Sequence, residues 1–147
     1  MSRYENLTVG RLFCDSIYPN PIPGNMSYAN DYFVDGNVAS TGSGTWDSPF
    51  STLAEAITAS NASIGSSKNR WWARRNRIFC CGDDFEEDLV ALPEKCDIIG
   101  VGSSDNYHMP CVRGNHAPVD GKMGCRFFNV RFRPAASSDL WTLTSDT

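Results

Sequence analysis

The chain has no run of about 18 apolar residues, the length a helix needs to cross a bilayer, so membrane insertion is not expected. Its first residues, MSRYENLTVG, lack the apolar core of a secretory leader, and synthesis in a reducing cytoplasm is the expectation. Cys14, Cys80, Cys81, Cys96, Cys111 and Cys125 show no CxxC pair, which favours reduced, buried thiols over disulfides. The same spacing, with His108 and His116, fits no zinc pattern; an apolar ladder involving Cys96, Cys111 and Cys125 is the better reading. GxSxG is missing, and VGSSDN lacks the lysine of a phosphate loop. The aspartates of DGN and SSDN form no calcium loop of recognisable length. No cofactor and no metal is expected. A net charge of −4 argues against general affinity for nucleic acid.

With 147 residues, 41% hydrophobic and 20% charged, the chain is long enough for one folded domain with a modest core. Twelve glycines, many in turn-like contexts, favour a β-rich fold with frequent corners. Residues 1–30 differ from the rest. Leu7, Val9, Leu12, Phe13, Ile17 and Tyr18 are followed by Pro19, Pro21 and Pro23, which fix φ and remove backbone donors. An extended arm of this kind cannot bury its own apolar residues. It docks on another subunit or assembly, or lies as a strand on its own domain; the sequence leaves both open.

Tyr32, Phe33 and Val34 form a short β-prone run closed by the turn Asp35-Gly36-Asn37. PFSTLAEAITAS predicts a helix: Thr52 and Glu55 fit a capping box, and Phe50, Leu53, Ala54 and Ile57 make one apolar stripe. In SKNRWWARRNR, five cations surround Trp71 and Trp72. That arrangement suits a single-strand binding platform, but one patch on an acidic chain fits better an aromatic pair packed at a domain edge or subunit contact, with arginines covering the rim. The last third predicts short strands in RIFCC, CDIIGVG, PCVRG, CRFFNVRFRP and LWTLTS. Within CRFFNVRFRP, Phe128, Val130 and Phe132 are expected inward against outward Arg126, Arg131 and Arg133.

Asp83, Asp84, Glu86, Glu87 and Asp88 crowd one corner between two of those runs, with Phe85 and Leu89 expected inward. A glycosidase reading needs carboxylates about 5–5.5 Å or 6.5–9.5 Å apart across a cleft, and neighbours along one loop do not supply that. The structural reading is a solvent-facing corner. Ile78 and Ile98 lie about 20 residues apart, the length of one coil of a parallel solenoid.

These segments carry a family resemblance. YFVDGN, GTWDSPFSTLAEAI and RIFCCGDDFEEDLVALPEKCDIIGVG resemble the opening of right-handed parallel β-helix proteins of the pectin-lyase-like fold, and in particular virion and tailspike proteins of tailed bacteriophages. The resemblance covers roughly residues 30–133. It implies a mainly β chain: an extended virion-docking arm over 1–30, then over 31–147 a capping α-helix and the first coils of a short right-handed parallel β-helix. It implies a structural virion component, made in the host cytoplasm, that contacts other virion proteins through residues 1–30. A homotrimer is the expected state, and a host surface polysaccharide a further expected partner. The expected interface residues are Leu7, Val9, Leu12, Phe13, Ile17, Tyr18, Trp71 and Trp72. The alternative is the amino-terminal part of a polysaccharide-degrading tailspike whose catalytic coils lie beyond this chain.

Overall fold

The computed structural model describes residues 27–65, 74–82, 84–102, 109–119, 124–136 and 139–142. Strand β1 (Ser27–Asp35) leads through a long loop into helix α1 (Leu53–Gly65) and then β2 (Arg74–Cys81). The chain continues through β3 (Asp84–Glu86), β4 (Cys96–Gly100), β5 (Cys111–Arg113), β6 (Arg126–Phe128) and β7 (Arg131–Arg133). All strand pairings are parallel; β1 and β2 share a sheet, and from β2 onward successive strands alternate between two sheets, β1-β2-β4-β6 and β3-β5-β7.

This corrects the expected fold class. In place of a short right-handed parallel β-helix, the described residues form two separate small parallel sheets, of four and three strands, with one helix. The arrangement is mixed α/β. Ile78 does pair with Ile98 in register, as their spacing suggested. However, β3, β5, β6 and β7 are only three residues each, and β1 reaches β2 through the helix. Paired strands a coil-length apart are therefore not enough to identify a continuous solenoid.

The register arranges the four-stranded sheet in rows. Tyr32, Ile78, Ile98 and Phe127 form one row, and Val34, Cys80 and Gly100 another; both face the core. Leu53, Ala56 and Ile57 of α1, Phe85, Leu89 and Val112 complete the interior. Alternating residues point the other way and build the outer face. Gly100 is needed within its row because any side chain there would strike the backbone carbonyl of Asn129.

Helix α1 begins as expected. The Glu55 amide donates to Thr52 Oγ1 at 3.3 Å and the Thr52 amide to Glu55 Oε2 at 3.2 Å, both arms of a capping box. Its buried side is Leu53, Ala56, Ile57, Ser60 and Ile64, whereas Ala54, expected in the apolar stripe, is exposed. Asn76 Nδ2 ties β2 to the helix by donating to Ser60 Oγ at 3.0 Å and Ser63 Oγ at 2.7 Å.

The run 125–134 also departs from expectation. Asn129 adopts φ 54°, and this left-handed turn splits the run into β6 and β7, which join different sheets. Phe127 therefore packs on the core while Phe128 is 46% exposed. Val130 and Phe132 remain packed on the core.

Candidate functional site

The acidic corner resolves into individual structural tasks. Glu87 accepts from the amides of Leu53 at 2.8 Å and Ala54 at 2.9 Å, so it caps the free N–H groups at the start of α1 from a distant part of the chain. Burial pushes the Glu87 carboxyl up from its ordinary value, an effect opposed by those two hydrogen bonds and reinforced by Glu55. Asp88 Oδ1 accepts from the Asn115 amide at 2.7 Å. Glu86 meets Arg113 at 3.5 Å and Asp84 meets Arg131 at 3.9 Å, linking β3 to β5 and β7. Asp83 lies outside the described residues. A polar cavity of about 460 Å³ adjoins Glu86, Glu87, Asp88, Arg113 and Ala135, but its charged walls are these already partnered groups. Phe85 and Leu89 are buried, as expected.

The thiols are equally quiet. Cys80, Cys81, Cys96, Cys111 and Cys125 are free. Burial, the largest cause, raises the Cys96 thiol to about 12, and burial also raises Cys80, Cys81 and Cys125. Thiols held protonated are poor nucleophiles and poor metal ligands. Cys111 stands in the three-stranded sheet, apart from β4 with Cys96, so the expected three-residue ladder does not form. No group of three or more metal-binding side chains occurs among the described residues. His116 is fully buried; its Nδ1 accepts from the Leu89 amide at 3.1 Å, and its ring packs against Phe132 and Trp141.

The outer face of the four-stranded sheet is different in character. One row runs Phe33, Phe79, Ile99, Phe128, in register from β1 to β6. Phe33 and Phe79 stack at 5.4 Å between centroids. Beside it runs a row of alternating charge: Asp31, Arg77, Asp97, Arg126. Arg77 binds Asp31 through two bonds of 2.7 and 2.6 Å. Asp97 accepts from Arg126 at 2.7 and 2.6 Å and from Arg75 Nε at 2.7 Å. Burial alone would raise the Asp97 carboxyl, but hydrogen bonds from Arg126 and Arg75 hold it below the usual value.

The loop after β1 adds to this face. The Phe33 amide donates to Gly44 O, and the Phe50 amide to Phe33 O, each at 2.9 Å, so the loop folds along the edge of β1. Gly44, at φ +80°, lies where a side chain would strike the Phe50 ring. Thr45 and Ser48 exchange backbone bonds of 3.2 Å and project Trp46, which is 75% exposed and edge-on to Phe33 at 5.5 Å. Phe33, Trp46, Phe79, Asp35, Cys81 and Val101 are among the residues lining a cavity of about 240 Å³.

The interface residues expected from sequence, Leu7, Val9, Leu12, Phe13, Ile17, Tyr18, Trp71 and Trp72, are not among the described residues, while positions 27–30 of the expected arm belong to β1. The alternation Asp31-Tyr32-Phe33-Val34-Asp35 held a signal for the outer row, since residues two apart share a face. Trp46 had no such pattern. No family model, no curated protein and no solved structure matches the chain.

Proposed function

We propose that the protein is a structural component of a tailed-bacteriophage particle, attached through its amino-terminal segment, whose outer sheet face is a contact between subunits of a homotrimer. The observation that carries the subunit contact is the row Phe33, Phe79, Ile99, Phe128 extended by Trp46: apolar side chains in register, with Trp46 75% and Phe128 46% exposed. Covering this row removes apolar surface from water. In the row beside it, Asp31 is paired with Arg77 and Asp97 with Arg126, so covering that row would not bury an unpaired ion. The assignment to a phage particle is supported by the sequence resemblance of Tyr32–Asn37, Trp46–Ile57 and Ile78–Gly102. The structural role is further supported by the acidic corner, where Glu87 and Asp88 hold backbone amides.

Sedimentation of the full chain and of its Phe128→Glu variant tests the contact. A trimer that dissociates on substitution, with circular dichroism unchanged, is the expected result. A monomeric parent chain would refute it. Deleting residues 1–24 is expected to leave the described fold intact and abolish incorporation into particles, read by mass spectrometry of the purified assembly.

A further inference from the structure

The outer face uses one local arrangement twice. Arg77 in β2 is bound by Asp31, its register partner in β1, and lies over the Phe79 ring at 5.4 Å. Arg126 in β6 is bound by Asp97, its register partner in β4, and lies over the Phe128 ring at 5.5 Å. In each case the carboxylate takes both prongs of a guanidinium, and an aromatic ring two residues along the arginine's strand takes the cation. The two demands are compatible because a guanidinium is planar: its edge donates while its face stacks.

A third carboxylate with aromatic neighbours stands on the same face. Asp35 lies two residues beyond Phe33 in β1, and Asp35, Phe33, Phe79 and Trp46 all line the 240 Å³ cavity. The register partner of Asp35 in β2 is Cys81. The strand therefore supplies a thiol where the other two instances have an arginine. One oxygen of Asp35 accepts from the Asn37 amide at 2.9 Å, which fixes the carboxylate in place. No cation among the described residues forms a salt bridge with Asp35.

We propose that this cavity receives an arginine side chain from a partner protein, its guanidinium held by Asp35 and flanked by Phe33, Phe79 and Trp46. The inference rests on the reading of this face as a subunit contact and names the residue the partner brings. An apolar plug would bury the Asp35 charge without a counter-ion. A lysine ammonium is strongly hydrated, and most of the lining offers carbon and sulfur rather than acceptors. Arginine satisfies the carboxylate and tolerates the aromatic walls.

The test is a two-dimensional NMR titration of the full chain, and of its Phe128→Glu variant, with Nα-acetyl-arginine-N-methylamide. The matching citrulline compound is the neutral control of the same shape. Saturable shifts at Asp35 and the Trp46 indole are expected with arginine in at least one of the two proteins, and about tenfold weaker binding with citrulline. Asp35→Asn, which retains an acceptor for the Asn37 amide, and Trp46→Ala, at an exposed turn, should each weaken arginine binding by about tenfold. Binding only in Phe128→Glu means a neighbouring copy already fills the cavity and supports the assignment. Equal affinity for citrulline, indifference to Asp35→Asn, or no saturable shift in either protein overturns it. Sedimentation reads the contact separately: arginine binding in a chain that never associates would retain the cavity assignment and remove the homotrimer, and a dissociating Phe128→Glu with no arginine binding would do the reverse.

Discussion

Asp97 is the side chain whose loss the fold should tolerate least. It is 1% exposed, accepts from both Arg75 and Arg126, and Arg75 is itself only 8% exposed. Asp97→Ala leaves the Arg75 guanidinium buried with Gly124 O, at 2.8 Å, as a remaining acceptor. Removing one partner of a buried pair costs about 3–5 kcal/mol, because the other charge stays desolvated. The half-exposed Arg126 belongs to a weaker class, and Arg126→Ala should cost about 1 kcal/mol or less. Urea midpoints of the two variants check the ordering. If Asp97→Ala proved as mild as Arg126→Ala, the buried pair would not anchor the sheet.

At the scale of elements, α1 illustrates how far a sequence can be read. Thr52 and Glu55 lie three positions apart, so the capping box that starts the helix is written locally. Glu87 caps the same end from across the chain, and nothing local distinguishes it from Glu86 or Asp88. Glu87→Ala should therefore destabilise the protein by about 1–2 kcal/mol, the range for losing a helix cap, with Glu87→Gln milder because it keeps one acceptor. Glu86→Ala, which loses only an exposed pair with Arg113, should change the urea midpoint little. Equal effects of the Glu86 and Glu87 substitutions would contradict this division of labour. Short strands limit legibility in another way. Arg126 to Arg133 reads as one alternating run, yet a single left-handed residue, Asn129, divides it between two sheets and reverses the facing of Phe128. The expected solenoid failed for a related reason: pairings such as Ile78 with Ile98 follow from spacing, but how many strands each sheet gathers does not. The outer face was half visible in the alternation of β1. Its cavity depends on Trp46, which only the tertiary fold of the loop brings beside Phe33. Gly100 is likewise a consequence of β4 passing close to Asn129, so Gly100→Ala should cost about 1–3 kcal/mol by thermal denaturation, through a clash with backbone that cannot rotate away.

For the whole molecule, His116 and Asp97, whose pKa values both lie below the ordinary ones, each make stability fall on acidification. His116 is buried between Leu89, Phe132 and Trp141, and burial lowers its pKa below the ordinary 6.5, with Asp88 opposing the shift. Its Nδ1 must stay unprotonated to accept from the Leu89 amide. The unfolded chain therefore takes up this proton first, so the His116 contribution is complete above about pH 6.5 and declines as pH falls below it. Asp97 acts at lower pH: its folded pKa lies below the ordinary 3.8, so its contribution is intact above that value and is lost as pH falls through the folded one. Stability should thus fall in two stages on acidification, one beginning near pH 6.5 and one below about pH 4. Urea midpoints measured across this range test the sequence of events. His116→Asn, which keeps a side-chain acceptor but does not titrate, should flatten the first stage and leave the second. A first stage that survives His116→Asn would mean that another group governs the loss of stability near neutrality.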